Sequence, residues 1–307
     1  MKSTLPPGGQ AVAKKGWLLA HQWLILRRLT QLGILALFLA GPLFGLWIIK
    51  GNMASSLLLE TIPLSDPYVM LQGLTAGNLP ATEGLIGVAI IVAFYFLVGG
   101  RVYCSWVCPV NIVTDLAGWM RSKLGIKVSS QFSRSTRYWL LALTLVLPPI
   151  TGAIVWELFN PVSLMFRGII FGLGWAWMVI LAVFLFDLFI SQRGWCGHLC
   201  PMGAFYSLLG KKSIIRVSAS KREQCDDCMD CFAVCPEPQV IKPALKGADK
   251  GLGPVIEAVN CTNCGRCIDV CDEDVFNFSN RYRNPYTRKQ VVNLNSSNTV
   301  AAEHADS

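Results

Sequence analysis

Eight cysteines in the last third of the chain follow a spacing that narrowly limits what this region can fold into. The run C-x2-C-x2-C-x3-C occurs twice, in CDDCMDCFAVC from Cys225 and in CTNCGRCIDVC from Cys261, 36 positions later. Bacterial ferredoxins with two [4Fe–4S] clusters use this spacing, and the fourth cysteine of each run ligates the other cluster. The spacing therefore predicts one cluster on Cys225, Cys228, Cys231 and Cys271 and another on Cys235, Cys261, Cys264 and Cys267.

The composition places the rest of the chain outside the ordinary soluble class. Of the 307 residues, 53% are apolar and 15% are charged, whereas a soluble domain averages about 25% charged residues. A membrane protein with a soluble extension fits these values. All twelve cysteines lie in short, regular motifs, a pattern that favours metal ligation over the disulfides of an exported domain.

Four apolar stretches have about the length of helix, roughly 20 residues, that crosses a bilayer. They cover residues 29–49, 84–100, 138–156 and 169–190. Arg27-Arg28 before the first stretch also fits a twin-arginine export signal. No small-residue cleavage site follows the pair and more spans come later, so we interpret it as the basic flank of a membrane helix.

The distribution of lysine and arginine predicts the orientation of these spans. The segment before the first span carries five, the loop 101–137 carries six and the region after the fourth span carries fourteen. The two intervening loops, 50–83 and 157–168, carry one each. The positive-inside rule then places both termini and all twelve cysteines in the cytoplasm.

The predicted fold class is a membrane all-α domain followed by an α+β domain of the bacterial-ferredoxin type. Four transmembrane helices form two repeated hairpins within residues 24–217, after a cytoplasmic N-terminal segment at 1–23. The double-cluster domain covers residues 218–283, and a flexible tail covers 284–307.

The membrane domain contains an internal duplication. The phrases YCSWVCP from Tyr103 and WCGHLCP from Trp195 share the pattern aromatic-C-x3-C-P at an offset of 92 residues. Each follows an even-numbered span and precedes a short apolar-periodic segment, 110–124 or 202–209, which we interpret as an interfacial helix. Two hairpins of equal orientation imply a pseudo-two-fold axis along the membrane normal. Such an axis brings together Cys104, Cys108, Cys196 and Cys200 at the cytoplasmic surface, as a third iron–sulfur site or as structural or redox-active cysteines.

An iron–sulfur protein in a membrane suggests a lipid-soluble quinol as the source of electrons. Quinol oxidation also releases protons, and carboxylates at membrane depth are costly and usually functional. Glu157 at the outer end of the third span and Asp187 near the inner end of the fourth are the candidate proton acceptors. Asp187 could instead pair with Arg101 or Arg193. Three carboxylates of the first outer loop are weaker candidates, namely Glu60, Asp66 and Glu83.

Several longer phrases resemble the NapH-type ferredoxin proteins, among them KKGWLLAHQWLILRRLTQ, CSWVCPVNIVTDLAGW, GWCGHLCPMGA and CMDCFAVCPEP. The resemblance covers about residues 14–280. It implies the membrane component of a quinol dehydrogenase in the inner membrane of a Gram-negative bacterium. Electrons would pass from quinol towards a periplasmic ferredoxin-like protein, a multihaem cytochrome and the periplasmic nitrate reductase.

The resemblance also implies that the eight tail cysteines ligate clusters and that the protein is an electron-transfer subunit rather than a stand-alone catalyst. Its expected contacts are membrane lipid, quinone and these redox partners, with no nucleic acid. One departure is Asp272, which stands where a proline usually follows the last cysteine. The predicted orientation creates a problem, because the clusters lie inside whereas the reductase works outside. Electrons would then have to cross the bilayer.

Two other functions are compatible with the same motifs. The first is a cytoplasmic-facing membrane polyferredoxin that matures a respiratory complex, and the second is a sensor of redox state. An added sensory or flavin-binding domain would favour sensing or activation, and a Met-rich copper path would favour maturation. The chain shows neither feature, since its eight methionines are scattered. The resemblance favours the quinol-oxidising subunit.

Overall fold

The computed structural model describes residues 6–126, 132–172 and 174–282. The chain forms two compact units. The smaller one contains the described residues of 1–26 and 211–307 together with 97–99, and the larger one contains those of 27–96 and 100–210. The predicted flexible tail at 284–307 lies outside the described residues.

Helices dominate the described part of the chain. They are α1 (Gly9–Lys15), α2 (Gln22–Phe44), α3 (Pro67–Thr75), α4 (Thr82–Val98), α5 (Val110–Lys123), α6 (Thr136–Thr151), α7 (Val155–Phe159), α8 (Pro161–Phe171), α9 (Gly174–Leu185), α10 (Pro201–Leu209), α11 (Asp230–Val234), α12 (Ile241–Lys246) and α13 (Arg266–Asp269). The strands are β1 (Ile49–Gly51), β2 (Ser55–Leu58), β3 (Ile62–Ser65), β4 (Ile215–Ser218) and β5 (Asn277–Asn280). The two predicted segments after the C-x3-C-P motifs are helical, as α5 and α10.

The predicted polar loop at 50–83 contains strands and helix α3, so the all-α description of the membrane domain is wrong. Strands β1, β2 and β3 form an antiparallel meander in which Ile49 lies opposite Leu58 and Ser56 lies opposite Leu64. Asn52 shapes the first turn, since its Oδ1 accepts the backbone N–H groups of Ala54 and Ser55 at 2.9 and 3.0 Å. The strands are only three or four residues long, too short for a clear alternation of apolar and polar residues.

Four complete membrane crossings are not confirmed. Among the described residues, one helical stretch, Leu19–Phe44, is long and apolar enough to cross a membrane. The helices in the second, third and fourth predicted spans are shorter, and α4 has 17 residues. A helix of that length is about 25 Å long, less than the roughly 30 Å of hydrocarbon in a typical bilayer.

Two glycines explain where the third and fourth predicted spans are cut. Helix α6 ends at Thr151 because Gly152 adopts the left-handed conformation with a φ of 68°, which terminates a helix. Gly172, with a φ of 65°, ends α8 within the predicted fourth span. The predicted connection at 157–168 is therefore largely helical, as parts of α7 and α8.

The larger unit buries its own apolar core. Side chains of α2, β1, α5, α8 and α9 meet in one cluster, made of Phe38, Ile49, Val110, Val162, Phe166 and Val183. Helix α10 is more buried than an interfacial helix would be, because six of its nine residues are buried. The expectation of an interfacial helix at 202–209 is therefore wrong, and α10 is a core element of this unit.

The smaller unit is the predicted α+β domain. Strands β4 and β5 pair antiparallel, with Ile215 opposite Asn280 and Ser218 opposite Asn277. The short helices α11 and α13 follow the two cysteine loops. The core of the unit combines aliphatic and aromatic side chains with cysteines, including Val217, Ile241, Leu245, Ile256, Phe276, Cys231 and Cys267.

The N-terminal segment belongs to this smaller unit. The backbone N–H of Gly8 donates to Asp230 at 2.8 Å. Buried Asp269 accepts the N–H groups of Trp23 and Leu24 at 3.1 and 3.0 Å, at the start of α2. A carboxylate at this position stabilises a helix N-terminus. Residues near the two ends of the chain therefore stabilise one another across the cysteine loops.

Candidate iron–sulfur centres

The structure brings together each of the two predicted cysteine sets in the smaller unit. One cavity is lined by the first set, Cys225, Cys228, Cys231 and Cys271. A second cavity is lined by the other set, Cys235, Cys261, Cys264 and Cys267. The fourth cysteine of each run thus lies in the cavity of the other run. Apolar side chains such as Phe232 and Val240 form much of the remaining walls.

The two cysteine loops have the same backbone conformation. Asp227 and its counterpart Asn263, 36 positions later, both have positive φ angles, of 62° and 48°. Met229 and its counterpart Gly265 do as well, at 66° and 74°. Two left-handed residues at matching positions help curl each C-x2-C-x2-C segment into a tight loop, and its three thiols line one cavity. The duplication seen in the cysteine spacing therefore extends to the local fold.

Burial controls the protonation of these thiols. It raises the pKa of the Cys231 thiol to about 12 and that of the Cys267 thiol well above its usual value. Thiolates are the form that binds metal, so loading these sites releases protons. Near Cys271 the charges are mixed, because Lys15 donates to its backbone carbonyl and pairs with Asp274.

The carboxylates of Asp226 and Asp272 lie with Cys228 Sγ in one group whose ligand atoms are all within 4.8 Å. This acidic group lies beside the first cavity and belongs to that site. The position of Asp272 shows that the residue replacing the usual proline places a negative charge close to a predicted ligand.

The four remaining cysteines also converge. Cys104, Cys108, Cys196 and Cys200 line a single cavity in the larger unit. Each pair lies in a turn closed by an i→i+5 hydrogen bond, from Cys108 N to Tyr103 O and from Cys200 N to Trp195 O, both 2.9 Å long. The φ and ψ angles of Cys108, −67° and 117°, match those of Cys200, −68° and 111°. The predicted repeat is therefore also a structural repeat.

Buried cationic and amide side chains hold the two turns. Gln31 Nε2 donates to Ser105 O at 3.0 Å and to Cys108 O at 3.2 Å. On the second turn, Arg101 donates to Cys196 O at 3.2 Å and Arg137 to Gly197 O at 3.4 Å. Gln31, Arg101 and Arg137 are all buried. No local sequence pattern indicates these three roles.

The arginines also affect the cysteines electrostatically. Burial raises the pKa of the Cys200 thiol to about 12, and the Arg101 guanidinium partly opposes this rise. Burial likewise raises the pKa of the Cys108 thiol above its usual value. Four thiolates in one cavity repel one another, so buried cations nearby favour their joint deprotonation when metal binds.

Segments predicted on opposite sides of the membrane meet in this unit. Trp156 and Asn160, at the predicted outer connection, line the four-cysteine cavity. Tyr206 of α10 donates to Asp66 of the predicted outer loop at 2.8 Å. Because about 30 Å of hydrocarbon separates the two surfaces, these partners cannot lie on opposite sides. The prediction that the four cysteines and the segments 50–83 and 157–168 lie at opposite membrane surfaces is therefore wrong.

The predicted proton acceptors have different environments. Glu157 is partly exposed and accepts from Asn160 Nδ2 at 2.8 Å and Ser163 Oγ at 2.7 Å. Asp187 is 1% exposed and accepts the Trp195 N–H at 2.9 Å, at the start of the second cysteine turn. Its location next to this turn indicates a positioning role.

The remaining predicted acceptors are structural or lie at the surface. Asp66 is buried and caps α3, since its Oδ1 accepts the N–H groups of Tyr68 and Val69. Glu60 lies 3.7 Å from Lys50 in an exposed ion pair. Glu83 lies exposed in the first turn of α4.

Two family models match the chain. The model described as a 4Fe-4S binding domain matches residues 80–127 and 173–221, which contain the two C-x3-C-P motifs. The model described as a 4Fe-4S dicluster domain matches residues 224–275, which contain the eight tail cysteines. No solved structure matches the chain significantly.

Curated relatives cover almost the whole chain. The ferredoxin-type protein NapH of Escherichia coli is 50% identical over 90% of this chain and 95% of its own length. The methylamine utilization ferredoxin-type protein MauN of Methylorubrum extorquens is 54% identical over 89% of this chain and 94% of its own length. The chain belongs to the NapH/MauN family of ferredoxin-type proteins. MauN of Paracoccus denitrificans is 53% identical over 91% of this chain and 98% of its own length.

Membership of the NapH/MauN family confirms the resemblance to NapH-type proteins. It also adds MauN, which the sequence analysis did not anticipate. The protein is an iron–sulfur, ferredoxin-type electron-transport protein with 4Fe–4S domains.

Proposed function

We propose that this NapH/MauN-family protein is a membrane subunit that carries electrons from quinol towards a periplasmic redox system. The observation that carries the proposal is the convergence of Cys104, Cys108, Cys196 and Cys200 on one buried cavity of the helical unit. This donor set adds a third site to the two cysteine sets of the smaller unit. A redox site within the helical unit fits an electron carrier that oxidises quinol in a membrane.

The donor chemistry of all three cavities fits [4Fe–4S] clusters. Each cavity presents four cysteine sulfurs, the number that one cubane requires. A bound cluster supplies one-electron transfer. We infer that the four cysteines lining each cavity are the ligands of its cluster. In the larger unit, Gln31, Arg101 and Arg137 fix the turns that present the thiols.

Exposed apolar side chains support the placement in a membrane. Helix α4 presents Leu85, Ile86 and Phe94 on its surface, and α9 presents Met178 and Leu181. Contiguous apolar surface of this kind marks a lipid or protein contact. Helices somewhat shorter than the bilayer are accommodated by local thinning of the lipid. We infer that α2, α4, α6 and α9 contact lipid.

The proposed orientation keeps both termini in the cytoplasm. The count of lysines and arginines supports this orientation less strongly than the sequence indicated. Three of the six cations in the loop 101–137 are buried, namely Arg101, Arg121 and Arg137. They hold backbone carbonyls and do not lie at a membrane surface. The support that remains comes from the fourteen lysines and arginines after the fourth span.

Quinol-dependent reduction of the clusters tests the proposal. Ubiquinol or menaquinol analogues, added to the protein in native membranes, should reduce its clusters. EPR spectroscopy measures this reduction, and iron quantification gives the cluster content. We infer that Glu157 accepts a quinol proton, since its neighbours Trp156 and Asn160 line the four-cysteine cavity. Glu157→Gln should then slow this reduction by about 100-fold or more, with iron content unchanged.

The exposed Glu83 of α4 supplies a matched control, and Glu83→Gln should leave the reduction rate unchanged. Clusters that stay oxidised with every quinol, although dithionite reduces them, would contradict the quinol dehydrogenase function. That result would favour a role in maturation or sensing of a respiratory complex.

The partner system has two candidates. By its resemblance to NapH, the chain would serve the periplasmic nitrate reductase through a periplasmic ferredoxin-like protein and a multihaem cytochrome. The identities of 54% and 53% to two MauN proteins favour methylamine utilization equally well. Expression in strains lacking NapH or MauN distinguishes the two. We expect the protein to restore quinol-dependent nitrate reduction in the strain that lacks NapH. If it restores only growth on methylamine, in the strain that lacks MauN, it belongs to the methylamine system.

A further inference from the structure

Two buried hydrogen-bond donors line the four-cysteine cavity without a partner. Tyr103 is 5% exposed and Trp156 is 7% exposed, and both line the cavity. Neither Tyr103 Oη nor Trp156 Nε1 has a hydrogen-bond partner among the residues that the structure describes. Tyr103 opens the first cysteine turn, and Trp156 lies on α7.

Unpaired buried donors are expensive and uncommon. Such a donor has lost its hydrogen bonds to water without replacing them, and most buried polar atoms in proteins are paired. Two of them at one cavity indicate that whatever fills this cavity supplies the acceptors. The amide of Asn160, which also lines the cavity, is already used, because it donates to Glu157 and accepts the Val162 N–H. The other non-cysteine walls are apolar, for example Val110 and Met202.

The Tyr103 ring is held in a fixed orientation. It stacks on Tyr206 with ring centroids 4.7 Å apart and an angle of 9° between the rings. Tyr95 packs edge-on against both, at 6.2 Å from Tyr103 and 5.0 Å from Tyr206. Tyr206 is itself anchored through its hydroxyl to Asp66. This packing fixes the orientation of the Tyr103 ring beside the cavity that Tyr103 lines.

The geometry points to Tyr103 Oη and Trp156 Nε1 as hydrogen-bond donors to the sulfur atoms of a cluster on Cys104, Cys108, Cys196 and Cys200, which raise its reduction potential. This rests on the proposed third cluster. Hydrogen bonds to the sulfurs stabilise the reduced state, which carries more negative charge. Tyr103 and Trp156 act through the cluster and are positioning residues. Because Trp156 lies on α7, this helix would contribute to the reduction potential of the third cluster.

Conservative variants test this role. Tyr103→Phe and Trp156→Phe remove the donor and keep an aromatic ring. In an EPR-monitored redox titration of the full-length protein, each should shift the midpoint potential of the third cluster to a more negative value. The double variant should shift it further, and the two tail clusters should not move. Matched controls are Tyr282→Phe, an exposed tyrosine of the smaller unit, and Trp139→Phe, an exposed tryptophan of α6. Both should leave all three potentials unchanged.

The possible outcomes separate the failure of this inference from failure of the proposed cluster. Unchanged potentials at about twelve iron atoms per chain would overturn the donor role and keep the cluster. About eight iron atoms in the unsubstituted protein would remove the third cluster itself. If the variants lose iron, their potentials cannot be compared. Pulsed EPR of the unsubstituted protein in H2O and in D2O then tests whether hydrogen-bond donors contact the third cluster. Exchangeable protons coupled to the third cluster support the inference, and their absence overturns it.

Discussion

Replacing Cys104, Cys108, Cys196 and Cys200 together by serine should lower the iron content from about twelve to about eight atoms per chain. The four thiols line one cavity, and the two other sets line cavities of their own in the smaller unit. Removing the four ligands therefore removes one cluster and spares two. Iron and sulfide analysis of the purified protein, with EPR of the reduced state, measures the change.

The matched control is the tail set Cys225, Cys228, Cys231 and Cys271. Serine at these four positions should also remove about four iron atoms, but the EPR signal that remains should include the third cluster. The two variants should therefore lose different spectral components. Equal iron content in the unsubstituted protein and the Cys104/108/196/200 variant would show that these cysteines hold no cluster. They would then be structural or redox-active thiols.

Gly100→Ala should destabilise the larger unit by about 3 kcal/mol or more, at the upper end of the cost of overpacking. A Cβ at Gly100 would lie 1.8 Å from Tyr206 O and 2.7 Å from Gly210 N. These are backbone atoms at the C-terminal end of α10, so no side-chain rotation relieves the clash. Either α4 or α10 must move.

This displacement should also disturb the metal site, because Cys200 immediately precedes α10 and Gly203 lies within it. We expect a lower unfolding temperature in detergent and loss of the third cluster, with the tail clusters retained. Gly118→Ala in α5 is the matched control, since a Cβ there meets nothing within 4 Å. It should be neutral or stabilising by about 0.5–1 kcal/mol. An unchanged unfolding temperature for Gly100→Ala would show that α4 and α10 are not in this close contact.

The buried arginines affect how charge counts are read in this family. Arg101, Arg121 and Arg137 look like cytoplasmic anchors in the sequence, yet each is buried and donates to backbone carbonyls. Arg121 donates to Leu188 O at 2.8 Å, next to the turn that carries Asp187. Arg101 and Arg137 donate to the turn that carries Cys196, and their positive charges would offset the negative charge of a cluster held by four thiolates. The positive-inside rule counts such residues as surface charges when they belong to a site.

Local patterns determined the cysteine chemistry of this protein. The C-x2-C-x2-C-x3-C runs fixed the two tail sets, because a tight loop leaves few ways for three thiols to face one point, and the structure gathers those sets. The C-x3-C-P repeat at an offset of 92 residues was enough to infer that Cys104, Cys108, Cys196 and Cys200 converge. Whole-chain phrases indicated the family, although they did not separate NapH from MauN.

Only the tertiary structure decided which other residues surround these cysteines. Asp66 meets Tyr206 across 140 positions, and Trp156 joins the cavity of Cys104 and Cys196. Contacts this distant leave no periodic signal, because they depend on where Gly152 and Gly172 break the helices. The same breaks interrupt the third and fourth apolar stretches, whose continuous hydropathy in the sequence predicted simple membrane spans. Spacing fixes which thiols can share a cluster, whereas long-range packing fixes the donors and charges that determine its properties.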